Sequence, residues 1–295
     1  MSEATFVRFW GTRGSIPTPG HKTRRYGGNT SCVELRYGEF ELVCDGGTGL
    51  RELGLDLVQR GRPRVSAHLF FSHMHWDHIQ GFPFFVPAYA KDSEIVVYDV
   101  EAGRTRVEEL LHGQMRSEYF PVNFSDLGAE IRARTFEQFT VELGGVTVRS
   151  FEQPHPGKSY AYAFECGGKK IVYATDSELD LLLSNADESA QDPEALRRLP
   201  DALVAFVEGA DLLIADGQYT DAEYPQKVGW GHARANTVAD LAHQAGVKQC
   251  AVFHHDPLHS DEAVEDKIRA ATARLDARGS RTLLFGAREG LELKF

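Results

Sequence analysis

The segment Ser72-His73-Met74-His75-Trp76-Asp77-His78-Ile79-Gln80-Gly81 follows an apolar run, Val65 to Phe71. Three imidazoles and a carboxylate thus stand within six residues, directly after what reads as a buried strand. In an extended segment residues two apart point to the same side, so His73 and His75 can converge on one cation. Once the chain turns, Asp77 and His78 can face a neighbouring position. Imidazole and carboxylate are donors that zinc, manganese and iron accept. The spacing therefore predicts metal ligands rather than a satisfied polar cluster.

Further donors should arrive on other loops. Pro154-His155-Pro156-Gly157 holds a histidine between two prolines, which stiffen the loop and restrict the residue before each. Ile171 to Asp176 reads as an apolar strand ending in a carboxylate. Taken alone, Asp176 or Ser177 could cap a helix over Glu178–Leu183. Beside the histidine motif, Asp176 reads instead as a carboxylate bridging two metals. Cys250 to Asp256 is another apolar strand that delivers histidine at its end, with His254 and His255 both open. Gly229-Trp230-Gly231-His232-Ala233 sets one more histidine at the start of a helical pattern, where unpaired N–H groups suit a phosphate.

The 295 residues, 42% hydrophobic and 25% charged, describe an ordinary globular chain with ample core. No low-complexity tract or linker interrupts it, so a single domain over 1–295 is expected. The N-terminus lacks a basic region followed by an apolar one, and no stretch reaches the roughly 18 apolar residues of a membrane span. Cys32, Cys44, Cys166 and Cys250 form no CxxC pair, which suggests reduced thiols and a cytoplasmic location. A formal charge of −11 makes a large polyanion a less natural partner. The basic cluster His21-Lys22-Thr23-Arg24-Arg25 reads equally as a solvated loop or as a phosphate-steering patch.

Short β-like runs recur at Thr5–Trp10, Cys32–Arg36, Glu39–Cys44, Val65–Phe71 and Glu94–Tyr98. A second set covers Phe139–Leu143, Val146–Phe151, Tyr160–Glu165 and Lys169–Ala174. Gly144-Gly145 and Gly167-Gly168 supply hairpin turns. Later runs at Leu212–Ala215, Gln249–His254 and Arg281–Phe285 alternate with helical patterns at Arg234–Ala245 and Ser260–Ala277, the latter capped at Ser260-Asp261. Ser184–Pro193 reads as an exposed loop before a helix near Glu194–Leu199. Sheets covered by helices, an α/β class, follow from this order.

With these residues in hand, the chain resembles the metallo-β-lactamase superfamily through HMHWDH, His155, Asp176 and the late histidine. Trp10 to Pro19 and Gly28-Asn29-Thr30-Ser31 are similar to the opening of its ribonuclease Z-like, phosphodiesterase branch, and Asp45-Gly46-Gly47-Thr48-Gly49 matches a strand-to-turn motif of the superfamily. The resemblance implies a four-layer αβ/βα sandwich with a dinuclear site. One metal would take His73, His75 and His155. The other would take Asp77, His78 and His254, with His255 as the adjacent alternative and Asp176 bridging. Two divalent ions, zinc before manganese or iron, are the implied cofactors. Asp77 and His232 are the implied catalytic residues, His232 contacting the scissile phosphate or protonating the leaving oxygen.

Such an apparatus serves β-lactams, thioesters, lactones and phosphodiesters alike. The N-terminal pattern and His232 favour the phosphodiesterase branch, which implies attack on phosphorus by a bridging hydroxide. Transfer-RNA processing members of the branch carry a long basic arm between the third histidine and the bridging aspartate. Here His155 and Asp176 are 21 positions apart with a tight hairpin between them. The expected substrate is a small phosphodiester, a cyclic nucleotide or short nucleotide, and not folded RNA. Rings between Phe82 and Ile131 could wall its pocket, while core packing is the expected role of most of them. A lactone, ester or thioester hydrolase and a non-catalytic metal sensor are the alternatives. The expected partners are the substrate alone or a second copy in a homodimer, with no membrane.

Overall fold

The computed structural model describes residues 5–38, 40–60, 64–100 and 106–295. Glu39, where one expected strand begins, lies outside the described residues, as do 1–4 and, within the expected pocket wall, 101–105. The chain falls into two compact units, Met1–Pro19 with Gly27–Val141 and Arg288–Phe295, and Gly20–Tyr26 with Glu142–Ala287.

The first unit is built on β1 (Phe6–Gly11), β2 (Cys32–Tyr37), β3 (Phe40–Cys44), β4 (Ser66–Phe70), β5 (Glu94–Asp99) and β6 (Glu130–Thr135) in spatial sequence. A C-terminal strand, Glu292–Lys294, pairs with β1 at the edge. Pairing is antiparallel from β1 to β3 and parallel from β3 to β6. Helix α1 (Gly49–Gln59) buries Leu50, Leu53 and Leu57, the i, i+3, i+7 stripe of an amphipathic helix. These leucines join Val43, Ala67, Leu69, Ile95 and Val97 in one core, with Val107 and Leu111 of α3 (Arg106–Gln114).

The second sheet runs from β7 (Thr140–Leu143) through β8 (Val146–Gln153), β9 (Ser159–Cys166), β10 (Lys169–Ala174), β11 (Leu212–Asp216) and β12 (Gln249–Phe253) to β13 (Leu283–Gly286). Strands β8 to β10 are antiparallel, and β10 to β13 parallel. Both predicted glycine hairpins are present, with φ of 52° and 97° at Gly144-Gly145 and 57° and 75° at Gly167-Gly168. Only glycine adopts two consecutive positive φ values without steric strain. The α5 (Asp201–Val207), α6 (Ala235–Gln244) and α7 (Asp261–Ala277) helices cover this sheet, contributing Leu203, Val207, Val238, Leu241, Ala271 and Leu275 to its core. The result is an α/β fold of two central sheets flanked by helices, the layers that a four-layer αβ/βα sandwich requires.

Three expectations need correction. Ser184–Pro193 is not a plain loop, since α4 (Ala186–Gln191) forms within it. No helix forms at Glu194–Leu199; the helix begins after Pro200 instead. The reason lies in the carbonyls: those of Pro193 and Ala195 accept from Arg274, that of Glu194 from Arg278, and those of Leu196 and Arg197 from Asn185 and Gln244. Side chains thus take acceptors that a helix would need for its own amides. The helix considered over Glu178–Leu183 is a single 3-10 turn, Leu179–Leu182. By contrast, Ser260 caps α7 as expected, accepting from Ala263 N at 3.3 Å.

Candidate metal centre

In the first unit β4 ends at Phe70, and the chain runs extended through His73 and His75 before α2 (Trp76–Ile79). The rings of His73 and His75 lie 4.4 Å apart, and those of His73 and His78 4.3 Å. His78 Nδ1 donates to Asp45 Oδ2 at 2.8 Å, which puts the donor capacity of the ring on that side, and Nε2 lies 3.2 Å from Asp77 Oδ2. Asp45 is itself fixed by Ser72, whose N–H and hydroxyl donate at 2.7 and 2.8 Å. Asp77 accepts from Ser15 N at 2.7 Å, so the N-terminal GTRGS segment orients this carboxylate.

The glycines of the 45–49 motif explain its fit against the histidine turn. Gly46 N donates to His78 O at 2.7 Å, and Gly81 N to Gly46 O at 2.9 Å. A Cβ on Gly81 would lie 1.9 Å from Gly47 O, and one on Gly47 2.3 Å from Asp77 O. Only glycine permits the two segments to approach this closely.

In the second unit β10, β11 and β12 run parallel, with Ala174 opposite Ala215 and Asp216 opposite Phe253. Their C-terminal ends therefore deliver Asp176, Asp216 and His254 side by side. Donor atoms of Asp176, Asp216, His232 and His254 lie within 4.8 Å of one another, all buried. His254 Nε2 stands 3.2 Å from Asp176 Oδ1, while its Nδ1 donates to Gln218 Oε1 at 2.9 Å. His155 Nδ1 donates to Gly231 O at 2.9 Å, and its Nε2 lies 4.0 Å from Asp176 Oδ2. His255 points elsewhere, donating from Nε2 to Ala287 O at 2.8 Å and meeting the Tyr26 ring edge-on. His232 Nδ1 donates to Asp216 Oδ2 at 2.8 Å, and its ring stacks on that of His254 at 4.9 Å.

The donor chemistry fits divalent metals. His78, His155 and His254 each commit Nδ1 to an acceptor and turn Nε2 toward a carboxylate. This division of the ring is the habit of metal-binding histidines, whose second nitrogen is held by a carboxylate or carbonyl. Asp45, Asp176 and His254 hold this geometry at φ of 62°, 49° and 56°, uncommon for side-chain-bearing residues.

Sequence reading passed over Asp216, Gln218 and Glu178. Asp216 had a signal, because it ends the apolar run 212–215 as Asp176 ends 171–174. Gln218 and Glu178 had none, since their partners are 36 to 53 residues away. The basic cluster at 21–25 is held by acidic groups: Arg25 pairs with Asp261, Glu262 and Glu265. Among the described residues all four cysteines are free, and no helix is long and apolar enough to cross a membrane.

A ribonuclease Z of Natronomonas pharaonis is 24% identical over 281 residues, covering 84% of this chain and 86% of that protein. The metallo-beta-lactamase fold protein YhfI from Bacillus subtilis superposes with a TM-score of 0.69 over 99% of this chain and 100% of its own, at 17% identity. A diphosphatase from the PhnP family does so at 0.66 over 99% and 98%, at 18% identity. These two structures share the fold. A family model described as the beta-lactamase superfamily domain matches residues 41–255, well over half of the chain and across both units. The ligand-bearing strand ends, the split roles of the imidazole nitrogens and this match lead to one assignment: the chain belongs to the beta-lactamase superfamily domain family.

Proposed function

We propose that the chain is a dinuclear metal-dependent hydrolase of small phosphodiesters, in which both units work as one catalytic domain. His73, His75 and His155 would hold one divalent ion, and Asp77, His78 and His254 the other, with Asp176 shared. When bound, such ions polarise phosphoryl oxygens and lower the pKa of water so that it attacks at neutral pH. The observation that carries the phosphodiester reading is the Asp216–His232 pair. With Nδ1 fixed on a carboxylate at 2.8 Å, this buried imidazole can accept a second proton on Nε2 as a carboxylate-stabilised imidazolium and release it. A departing alkoxide needs that proton, whereas a thiolate leaves without one, so the pair favours a phosphodiester over a thioester. A lactone also expels an alkoxide and is separated by the panel below. Asp77, steered by Ser15 N, and Asp176 would orient the attacked group.

The short β9–β10 hairpin leaves no arm between His155 and Asp176, which supports a small substrate. The ribonuclease name of the relatives makes RNA the competing substrate. The decisive panel is a cyclic nucleotide, bis(p-nitrophenyl) phosphate, a short RNA, a lactone and a thioester, with zinc or manganese supplied. Phosphodiester turnover should exceed lactone and thioester turnover at least tenfold; the reverse order would overturn the assignment. His232→Ala should retain metal yet lose about 10²–10⁴ in kcat on the cyclic nucleotide, and far less with p-nitrophenolate leaving. Equal loss on both substrates would remove His232 as the acid.

A further inference from the structure

Glu178 is 1% exposed, yet among the described residues its carboxylate pairs with no lysine or arginine. It accepts instead from three neutral donors: Tyr224 Oη at 2.8 Å and Gly229 N at 2.7 Å on Oε1, and Gly231 N at 2.8 Å on Oε2. Burial, with the bond to Glu178, pushes the Tyr224 phenol up, so it remains a donor. The backbone N–H of Glu178 meanwhile donates to Pro154 O at 2.8 Å. Gly231 closes the circuit, because its carbonyl accepts from His155 Nδ1. The ring of bonds thus runs from Pro154 to Glu178, to Gly231, and back to His155.

We propose that Glu178 is a positioning residue that locks the Gly229–His232 loop to the His155 loop, setting both imidazoles through the single residue Gly231. The inference rests on the metal-hydrolase reading for its consequence, though the lock itself does not. A buried carboxylate is costly unless its oxygens are satisfied, and here two of the satisfying groups are backbone amides of the loop beside His232. Any slackening of that loop moves the carbonyl that fixes the His155 tautomer. The space is tight as well: a Cβ on Gly231 would lie 2.2 Å from His155 Nδ1, at φ of 89°. Asp180, two residues on, repeats the device by accepting from Arg234 N at 3.0 Å and Nε at 2.9 Å. Alternate residues of Asp176-Ser177-Glu178-Leu179-Asp180 therefore serve His254, the loop at 229–231 and the start of α6.

The test is amide exchange in the metal-free protein together with zinc competition titration. In the wild type, Gly229 and Gly231 amides should exchange at least about 100-fold slower than in an unstructured peptide. Exchange within about tenfold of the unstructured rate would overturn the lock without any variant. In Glu178→Gln one amide must face an NH2 group, so exchange there should accelerate about tenfold or more. Affinity for the zinc taken by His155 should fall about 10–100-fold. The loss of kcat should exceed any change in KM. Tyr224→Phe keeps both loop bonds and should stay near wild type in each readout; a matching loss there would assign the effect to packing and overturn the proposal. Slow exchange abolished by Glu178→Gln in a protein that binds no zinc would support the lock and sink the hydrolase reading.

Discussion

Asp45 stands to His78 as Asp216 stands to His232: each carboxylate accepts from Nδ1 at 2.8 Å and fixes the use of Nε2. The difference lies in what surrounds them. Ser72 ties Asp45 with two further bonds, while Asp216 accepts from Gln218 N at 2.9 Å and from Ser177 N at 3.3 Å. Asp45→Asn would turn an NH2 group toward either Ser72 or His78, both donors. Metal affinity should fall about 10–100-fold in a competition titration, with the melting temperature of the metal-free protein changing far less. An unchanged affinity would mean that Ser72 alone orients the turn. His73, His75, Asp77 and His78 were legible because they are neighbours in sequence, where strand geometry decides who shares a side. Asp45 carries no such local signal beyond its turn motif, because its partner lies 33 residues on.

Helices α6 and α7 are joined by charge as much as by packing. Asp240 of α6 is fully buried and accepts from Arg274 Nε at 2.9 Å and Nη2 at 2.7 Å and from Arg197 N at 2.9 Å, while Arg278 forms an ion pair with it at 3.1 Å. Arg274→Met would strip this carboxylate of its bidentate partner and free the carbonyls of Pro193 and Ala195. It should cost about 3–5 kcal/mol in urea unfolding, and pairing it with Asp240→Leu should recover most of that loss. A double variant as unstable as the single one would show that packing, not the buried charge, sets the cost. The same residues explain why 194–199 was misjudged: local propensity favours a helix there, but α7 arrives from about 80 residues away and takes the carbonyls. Strands fared better because alternation is local, as in β8, where every second position among the first five is buried. The β6 and Glu292–Lys294 strands, at the edge of their sheet with mostly exposed or half-buried residues, offered no such contrast.

Across the chain, His259 is an acid-sensitive group. Burial, with Lys267 nearby, holds its imidazole below the usual value against the pull of Glu223 and Asp256. The folded chain therefore takes up this proton less readily than the unfolded chain, whose histidine titrates near 6.5. The contribution is complete above that value and is lost as pH falls through the lower folded value. Glu223 follows: burial would raise it, but bonds from His259 and Thr220 outweigh this and hold it at about 2. Its contribution begins to fade below about 4.5. With chelator present, the urea midpoint should fall between pH 7.5 and pH 5, and His259→Gln should flatten that slope. A wild-type midpoint level over this range, or an unchanged slope in His259→Gln, would exclude His259 as an acid-sensitive group.

The left-handed backbone at Asp45, Asp176 and His254 bears on how such a chain can be improved. At these positions glycine is the residue most at ease, so replacing a working side chain there relaxes about 1–3 kcal/mol of stored strain. Asp176→Gly should accordingly melt higher than Asp176→Ala while both are inert. Under the proposed function, backbone ease and metal binding would therefore compete at Asp176 and His254, and laboratory evolution of this chain would have to score turnover as well as thermal endurance.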